Sequence, residues 1–286
     1  MLARTIKKIL NKKHSDLVES IKDEEVRKLV KENSFITGGA IVSMLLDEEV
    51  NDYDYYFKDK ETAFKVLEYY VNEYNEKNGT DAKAKDVDGT IQVYISSRGV
   101  LGEPEGHELD IDNQEGLLKH DGNEIAEFTP VFLSSNAISL KGGVQLIFRF
   151  FGEPEDVHKN YDFVHAMSYW DPKTNELVMP GKTLEAILTK ELVYTGSKFP
   201  LASILRAKKF IRRGWTINAG QYLKMVLQLN EMDLLDVNVL KEQLTGVDVF
   251  YFLQVIDIVQ NKIDEDSNFE LSSTYLIEVI EKVFEP

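Results

Sequence analysis

Hydrophobic and polar positions follow different periods along the chain, and the changes divide it into three parts. Residues 15–32 place apolar side chains at helical spacing, with Ser15 as a candidate N-cap. Residues 34–183 alternate short apolar or aromatic runs with glycine-rich turns, which predicts strands mixed with helices. Residues 184–286 are helical in pattern throughout. This order predicts an α+β fold, a mixed sheet with flanking helices, followed by an all-helical C-terminal domain.

The predicted elements define three domains, at 1–33, 34–183 and 184–286. Residues 34–46 predict a short strand, a glycine turn and a short helix, and further strands are predicted at 52–57, 91–95, 144–150 and 161–169. Helices are predicted at 61–78, with Gly79 as the stop, and at 184–193, 200–213, 218–229, 236–243, 247–262 and 272–284. Residues 96–130 are rich in Gly, Pro, Asp and Glu and predict a loop-rich insertion.

Composition excludes several classes of protein. The 286 residues are 43% hydrophobic, enough to bury one large core or two modest ones. The apolar runs are too short for a membrane span, and the basic N-terminus lacks the pattern of a secretory signal. The absence of cysteine excludes disulfides, thiolate metal sites and a Cys nucleophile. A cytoplasmic protein with no membrane partner is expected, and the oligomeric state is left undefined.

The net charge of −16 opposes binding to nucleic acid at long range. One segment runs against this trend, because residues 198–213 carry six positive charges and no acid. A solvated helix face explains such a run equally well. If nucleic acid binds, this basic segment is the expected contact.

Two aspartates on a predicted strand are candidate ligands of a metal ion. Asp52 and Asp54 stand two residues apart, so both side chains face one side, while Tyr53, Tyr55 and Phe57 face the other. Paired carboxylates repel unless a cation lies between them, and Mg²⁺ prefers oxygen ligands. Two solvated surface acids are the simpler alternative for an isolated Asp-X-Asp.

The pair Gly38-Gly39 lies between a predicted strand and a predicted helix, shortly before the acids. A glycine turn lets backbone N–H groups approach a phosphate, and a helix N-terminus adds favourable charge. An ordinary tight turn is the alternative. The combination of turn, helix and Asp-X-Asp is more specific than either part and predicts a site for a nucleotide with its metal ions.

These residues resemble the signature of the DNA polymerase β-like nucleotidyltransferase superfamily. Its CCA-adding and poly(A) polymerase branch has the pattern Gly-Gly-x-x-Arg-Asp-x-Leu-Leu followed by Asp-x-Asp. The positions that match are Gly38, Gly39, Leu45, Leu46, Asp52 and Asp54; Val42 and Ser43 replace the Arg-Asp pair. The resemblance implies a nucleotidyltransferase-type sheet, with Gly38, Gly39 and Ser43 at the nucleotide and Asp52 and Asp54 as catalytic metal ligands.

The basic segment resembles the neck helix of the CCA-adding enzymes. The matching positions are Arg206, Ala207, Phe210, Arg213 and Gly214. The acidic pair of the base-reading motif is absent, so selection of CTP and ATP is not carried over. Arg206, Lys209 and Arg213 share one helical face and are predicted to contact phosphates of a nucleotide or of RNA. Most of the chain also resembles nucleotidyltransferase-like proteins of large tailed bacteriophages, in particular at residues 135–140, 161–165 and 214–223.

The superfamily resemblance implies a third carboxylate, which helps hold the catalytic metal and takes a proton from the attacking hydroxyl. Asp162 is the first candidate, because a charged side chain between apolar Tyr161 and Phe163 on a predicted strand is costly unless it has a role there. Asp110 and Asp112 are the alternatives.

The sequence thus predicts a Mg²⁺-dependent nucleotidyltransferase that binds two ions. It transfers a nucleoside monophosphate from a nucleoside triphosphate (NTP) to an acceptor hydroxyl and releases pyrophosphate. RNA or tRNA is a candidate acceptor, with the basic segment 198–213 as its contact. A protein or small-molecule acceptor, or an inactive nucleotide-binding module, stays open.

Overall fold

The computed structural model describes residues 1–87, 89–95, 99–100, 126–244, 250–266 and 268–284. They form two compact units that divide between Leu188 and Thr189. The first unit combines helices with strands, and the second is helical. The predicted fold class, an α+β sheet with flanking helices followed by a helical C-terminal part, is confirmed. Most of the predicted insertion at 96–130 lies outside the described residues.

The helices up to this boundary are α1 Ala3–Ser20, α2 Glu24–Asn33, α3 Gly39–Leu45, α4 Lys60–Asn78, α5 Pro154–His158 and α6 Gly181–Thr189. The strands are β1 Ser34–Thr37, β2 Tyr53–Phe57, β3 Ala82–Val87, β4 Thr90–Ile95, β5 Gly99–Val100, β6 Pro130–Leu133, β7 Ala137–Leu140, β8 Val144–Phe151, β9 Tyr169–Asp171 and β10 Glu176–Val178. Seven strands form one sheet in the order β10-β9-β1-β2-β8-β7-β6, and β3-β4-β5 form another. The large sheet is mixed, because β2 and β8 are parallel whereas its other neighbouring strands are antiparallel.

Along strand β2, the two faces of the large sheet pack against different hydrophobic clusters. Tyr55 and Phe57 are fully buried on one face, in a hydrophobic core shared with α1 and α4. Tyr56 packs in a smaller apolar cluster on the opposite face. Because side chains alternate along a strand, Asp54 lies on the same face as Tyr56, away from the main core.

The single helix predicted at 15–32 is wrong, because the structure has two helices there. Helix α1 begins much earlier, at Ala3, so Ser15 lies inside it and caps nothing. The break comes at Ile21, which is extended at φ −74° and ψ 120°. The carboxylate of Asp23 then accepts a hydrogen bond from the N–H of Val26 and starts α2.

The strand predicted at 161–169 is also wrong. A 3-10 turn forms at Val164–Ala166, and strand β9 begins only at Tyr169. The carbonyl of Ala166 accepts from the N–H of Gly38, and the carbonyl of Ser168 accepts from the Thr37 hydroxyl. These bonds hold the segment in a turn that contacts the start of α3, so Asp162 lies at a bend and not on a strand.

The second unit contains helices α7 Pro200–Arg212, α8 Ala219–Leu229, α9 Val237–Leu244, α10 Phe250–Glu265 and α11 Ser273–Phe284. As predicted, Pro200 opens α7, and Gly214 follows its end with φ of 82°. A small core is formed by Leu240, Leu244 and Ile256. Within the described ranges, every helix is too short or too polar to cross a membrane.

His14 of α1 is buried, and its ring stacks on Tyr55 with centroids 6.0 Å apart. Neither ring nitrogen has a hydrogen-bond partner within the described part of the chain. Burial, with a smaller contribution from the charge of Lys31, lowers the pKa of His14 from its ordinary 6.5 to about 4. The folded protein therefore holds this ring neutral where the unfolded chain would protonate it.

Acidification from pH 6.5 towards pH 4 is expected to destabilise the protein for this reason. In that window the unfolded chain binds a proton that the folded chain does not, so stability present at higher pH is lost as the pH falls. Between neutral pH and pH 4.5, the free energy of unfolding of His14→Leu should fall by on the order of 2 kcal/mol less than that of the wild type. Urea unfolding at the two pH values measures the difference. A leucine variant as acid-sensitive as the wild type would contradict the assignment.

Candidate active site

The turn between β1 and α3 is built on Gly38. Strand β1 is buried along its length, and the chain leaves it through Gly38 with φ of 87°, a conformation that L side chains rarely adopt. Helix α3 begins at the next residue, and the Gly38 N–H donates to the carbonyl of Ala166 over 3.2 Å. The strand, glycine turn and helix predicted within 34–46 are confirmed.

The carboxylate of Asp54 lies against this turn. Asp54 pairs with Thr37 in the antiparallel β1–β2 ladder, so the two side chains share a face of the sheet. A Cβ placed on Gly38 would lie 2.9 Å from Asp54 Oδ2, which leaves no room for a side chain. Glycine at position 38 is therefore required both by its backbone conformation and by the acid beside it.

Gly39 meets neither requirement. A Cβ at this position would have no atom within 4 Å among the described residues, and the backbone φ lies outside the left-handed region. The packing of the protein thus gives no reason for glycine at position 39. A phosphate bound against this backbone would explain the glycine, and an experiment can test this prediction.

Asp52 immediately precedes β2 and is half-buried. A second glycine turn holds the backbone on both sides of it, because the Tyr53 N–H donates to the carbonyl of Gly143 over 2.8 Å. In addition, a Cβ on Gly143 would lie 2.9 Å from the carbonyl oxygen of Asn51. Sequence analysis missed this turn, although the adjacent glycines at 142 and 143 were a visible signal.

The buried hydroxyl of Thr37 is the centre of a hydrogen-bond network beside the turn. Thr37 Oγ1 lies 2.8 Å from the carbonyl oxygen of Ser168 and 2.8 Å from Nε2 of His158. A hydroxyl has one proton, and a carbonyl only accepts, so Thr37 donates to Ser168 and accepts from the His158 Nε2–H. Burial lowers the pKa of His158 from 6.5 to about 4, which keeps the ring neutral at pH 7. Sequence analysis missed both residues, since neither belongs to a recognisable motif.

Tyr161 brings a phenol to the same place. Its hydroxyl would lie 3.8 Å from a Cβ on Gly38, near the Asp54 carboxylate. Its ring lies 5.0 Å from the His158 ring, centroid to centroid. Burial raises the pKa of Tyr161 well above its ordinary value, and Tyr56 and Asp54 raise it further. The hydroxyl is therefore protonated at neutral pH, and sequence analysis did not identify it as a site residue.

The other predicted nucleotide contacts lie on two helices. Ser43 is buried in α3, with 6% of its surface exposed. Arg206 and Lys209 lie in the second unit on α7, where Arg206 is half-buried and Lys209 is exposed. Their contacts with a nucleotide stay predictions.

The third carboxylate also stays a prediction. Asp162 is half-buried at its bend. The described ranges contain no group of three His, Cys, Asp or Glu that would hold a metal ion, so Asp162 is not grouped with Asp52 and Asp54 there. Asp110 and Asp112 lie outside the described residues. Asp52 and Asp54 by themselves supply hard oxygen ligands beside a glycine turn, a donor set that fits Mg²⁺.

Comparison with known proteins assigns the chain to a family. A family model described as Gabija anti-defense 2 family protein matches residues 8–190, which is more than half of the chain. The chain belongs to the Gabija anti-defense 2 family. The matched region extends from α1 to the boundary between the two units and includes both glycine turns.

A curated member of the Gabija anti-defense 2 family is similar over most of the chain. Gabija anti-defense 2 of Bacillus phage SPbetaL7 is 23% identical over 248 residues, which are 86% of this chain and 49% of that protein. The chain therefore spans about half the length of this relative. The similarity to this phage protein confirms the predicted resemblance to bacteriophage proteins in part.

Solved structures with partial similarity to this chain include CCA-adding enzymes. The Thermotoga maritima enzyme complexed with tRNA is 13% identical, with 94% of this chain and 65% of that chain covered and a TM-score of 0.39. A CCA-adding enzyme with CTP is 14% identical, with 94% and 53% covered and a TM-score of 0.41. The Bacillus stearothermophilus enzyme with CTP is 12% identical, with 86% and 51% covered and a TM-score of 0.37. Because these TM-scores are low, the fold of this chain is described by its own strand order and not by the fold of these enzymes.

Proposed function

We propose that this chain is a Mg²⁺-dependent nucleotidyltransferase. It transfers a nucleoside monophosphate from an NTP to an acceptor hydroxyl and releases pyrophosphate. The observation that carries the proposal is the position of the Asp54 carboxylate against the Gly38 turn, where a Cβ would lie 2.9 Å from Oδ2. The turn and the acid come from neighbouring strands paired at Thr37 and Asp54, so the geometry is fixed by the sheet.

In this proposal Asp52 and Asp54 would hold Mg²⁺, which would neutralise phosphate charge and make the acceptor hydroxyl easier to deprotonate. The backbone at Gly39 approaches the triphosphate, and Asp162 accepts the proton of the acceptor hydroxyl, with Asp110 and Asp112 as alternatives. The acceptor oxygen forms a bond to the α-phosphorus, and the bond from that phosphorus to the bridging oxygen of pyrophosphate breaks. Positioning and charge stabilisation supply most of the rate.

RNA is the proposed acceptor. The last turns of α7 and its end expose Lys208, Lys209, Arg212 and Arg213 in a chain of net charge −16. Such a cluster of cations suits contacts with phosphates, which fix the position of a nucleic acid but do not read its sequence. Binding through these residues would weaken steeply as salt rises.

The family name adds a biological role to the proposal. Gabija anti-defense 2 is the name of a phage protein similar to 86% of this chain. We propose that this chain also acts against Gabija defence and that nucleotide transfer is the activity by which it does so. The role and the chemistry are separable, since a binding module with the same fold would act without turnover.

The test uses the purified chain, Mg²⁺ and each α-labelled NTP in turn, with an extract of bacteria that carry Gabija. Transfer of label to RNA is expected, and label in protein or in the small-molecule fraction would replace RNA as the acceptor. If no fraction is labelled with any NTP, the transferase proposal is rejected. NTP binding by calorimetry without pyrophosphate release would then identify a binding module.

The third carboxylate is identified by three separate variants, Asp162→Asn, Asp110→Asn and Asp112→Asn. The one that supplies the base is expected to lower transfer by about 10²–10⁴-fold, the usual contribution of general base catalysis. The other two should stay within a few-fold of the wild type. Rates are compared at saturating NTP, with circular dichroism as the control for folding. Full activity in all three variants would contradict a carboxylate base at these positions.

A further inference from the structure

Lys13 of α1 contacts the turn formed by Gly142 and Gly143, here called the second glycine turn. Its ammonium group donates to the carbonyl oxygen of Gly142 over 3.0 Å and to Glu127 Oε1 over 3.3 Å. Only 19% of the Lys13 side chain is exposed, although lysine side chains are usually exposed. This lysine is therefore a structural partner of a turn that lies 129 residues away along the chain.

Two aromatic rings and a buried helix fix the position of the Lys13 ammonium group. Its nitrogen lies 5.5 Å from the centroid of the Tyr53 ring and 5.2 Å from that of Phe128, distances at which a ring face attracts a cation. Helix α1 is anchored in the main core by Ile6 and Leu10, which are fully buried. The lysine thus reaches the turn from a helix that packing holds in place.

The second glycine turn in its turn positions the backbone of Asp52. The Gly143 carbonyl accepts from the N–H of Tyr53 over 2.8 Å. A Cβ on Gly143 would lie 2.9 Å from the carbonyl oxygen of Asn51 and 3.9 Å from Cα of Asp52. Because the turn contacts the residues on both sides of Asp52, a shift of the turn would shift Asp52 with it. Direct contacts therefore connect Lys13 to the backbone at Asp52.

We propose that Lys13 is a positioning residue of the candidate active site, which holds the second glycine turn and through it the backbone that presents Asp52 to a divalent cation. The part that concerns the cation rests on the proposed function, whereas the position of the backbone does not. A hydrogen bond from a charged donor is roughly twice as strong as one between neutral groups. Groups that hold a metal ligand in place typically contribute about 10–100-fold to metal affinity.

The test compares Lys13→Met with Lys58→Met by titration with Mn²⁺, which accepts the same oxygen ligands as Mg²⁺ and is detected by electron paramagnetic resonance. Lys58 is a matched control, because its side chain is 16% exposed and its Nζ lies 2.6 Å from Asp171 Oδ2. We expect Lys13→Met to bind Mn²⁺ about 10–100-fold more weakly than the wild type. Lys58→Met should keep the wild-type affinity, although breaking its ion pair lowers the melting temperature.

Lys13→Arg is the conservative variant of the same position. Its guanidinium keeps the positive charge and the N–H donors that a carbonyl oxygen and an aromatic ring attract. The affinity for Mn²⁺ should therefore return to within a few-fold of the wild type. Wild-type affinity in Lys13→Met, or equal losses in Lys13→Met and Lys58→Met, would overturn the proposal. Arginine as weak as methionine would contradict a role for the charged donor.

A structural measurement separates this inference from the proposed function. Crystal structures of the wild type and of Lys13→Met, superposed on the large sheet, report the backbone at Asp52 even if the chain binds no metal. The proposal requires that Cα of Asp52 moves by more than about 0.5 Å in the variant, the tolerance expected of a preorganised site. An unmoved backbone would reject the positioning role. A wild type that binds no Mn²⁺, with Asp52 displaced in the variant, would reject only the proposed metal site.

Discussion

Asp54→Asn is expected to reduce nucleotide transfer by on the order of 10³-fold or more while the protein stays folded. Asparagine has the shape of aspartate but lacks the negative charge that a hard divalent cation requires. The position tolerates this change structurally, because Asp54 is half-buried on the face of the sheet away from the main core. Asp52→Asn should have a similar effect, since Asp52 is the second proposed ligand of the same ion.

The activity should depend on both the charge and the length of the side chain at position 54. Asp54→Glu restores the charge but lengthens a side chain whose Oδ2 already lies 2.9 Å from the Cβ position of Gly38. We therefore expect glutamate to restore little activity. The measurement is pyrophosphate release at saturating Mg²⁺ and NTP, with urea unfolding to show that stability changes by less than about 1 kcal/mol, as expected where no packing is lost.

Asp47→Asn is a suitable control for the same chemical change. The Asp47 side chain is 75% exposed, and its backbone has φ of 56°, a conformation that asparagine adopts readily. This variant should transfer nucleotide at the wild-type rate. If Asp54→Asn were as active as Asp47→Asn, the carboxylate beside Gly38 would have no part in the chemistry, and the proposed function would lose its main support.

The residues that sequence analysis identified at the site are close together along the chain. Gly38 and Asp54 lie in one continuous segment that forms a strand, a turn, a helix and a second strand. Each of these elements has a strong local signal in the sequence. Glycine marks the turn, and the alternation of Asp54 with Tyr53 and Tyr55 marks the two faces of the strand. A local pattern of this kind is visible without knowledge of the rest of the fold.

The residues that sequence analysis missed come from distant parts of the chain. Gly143, His158 and Tyr161 reach the site only because β8 pairs in parallel with β2 and the segment after α5 returns to the turn. The pairing of distant strands depends on burial across the whole sheet, which a local pattern does not encode. The strand wrongly predicted at 161–169 has the same origin, since hydrogen bonds to Thr37 and Gly38 decide its conformation.

Gly38→Ala is expected to destabilise the protein by about 2–4 kcal/mol, since it combines backbone strain with overpacking. The strain arises from φ of 87°, and the overpacking arises from the 2.9 Å approach of Asp54 Oδ2. Gly79→Ala separates the two effects, because Gly79 has φ of 64° but a Cβ there meets nothing within 4 Å in the described structure. A loss in Gly38→Ala no larger than that in Gly79→Ala would show that Asp54 does not crowd the turn.

Gly39→Ala should have the opposite profile, and it is the more direct test of nucleotide binding at the turn. A Cβ at Gly39 meets nothing within 4 Å among the described residues, and alanine favours a helix start, so stability should be unchanged or rise by about 0.4–1 kcal/mol. If a phosphate approaches this backbone, the added methyl group should weaken NTP binding at least about tenfold, a cost of roughly 1.4 kcal/mol.

Gly181→Ala is the matched control for Gly39→Ala. Gly181 also opens a helix, α6, and a Cβ there likewise has no neighbour within 4 Å in the described part of the chain. Both variants should unfold at the wild-type urea concentration or slightly above it, and only Gly39→Ala should bind NTP and Mg²⁺ more weakly by calorimetry. Equal affinities in the two variants would mean that phosphates do not contact the turn, and the helix start beside Asp54 would then have only a structural role.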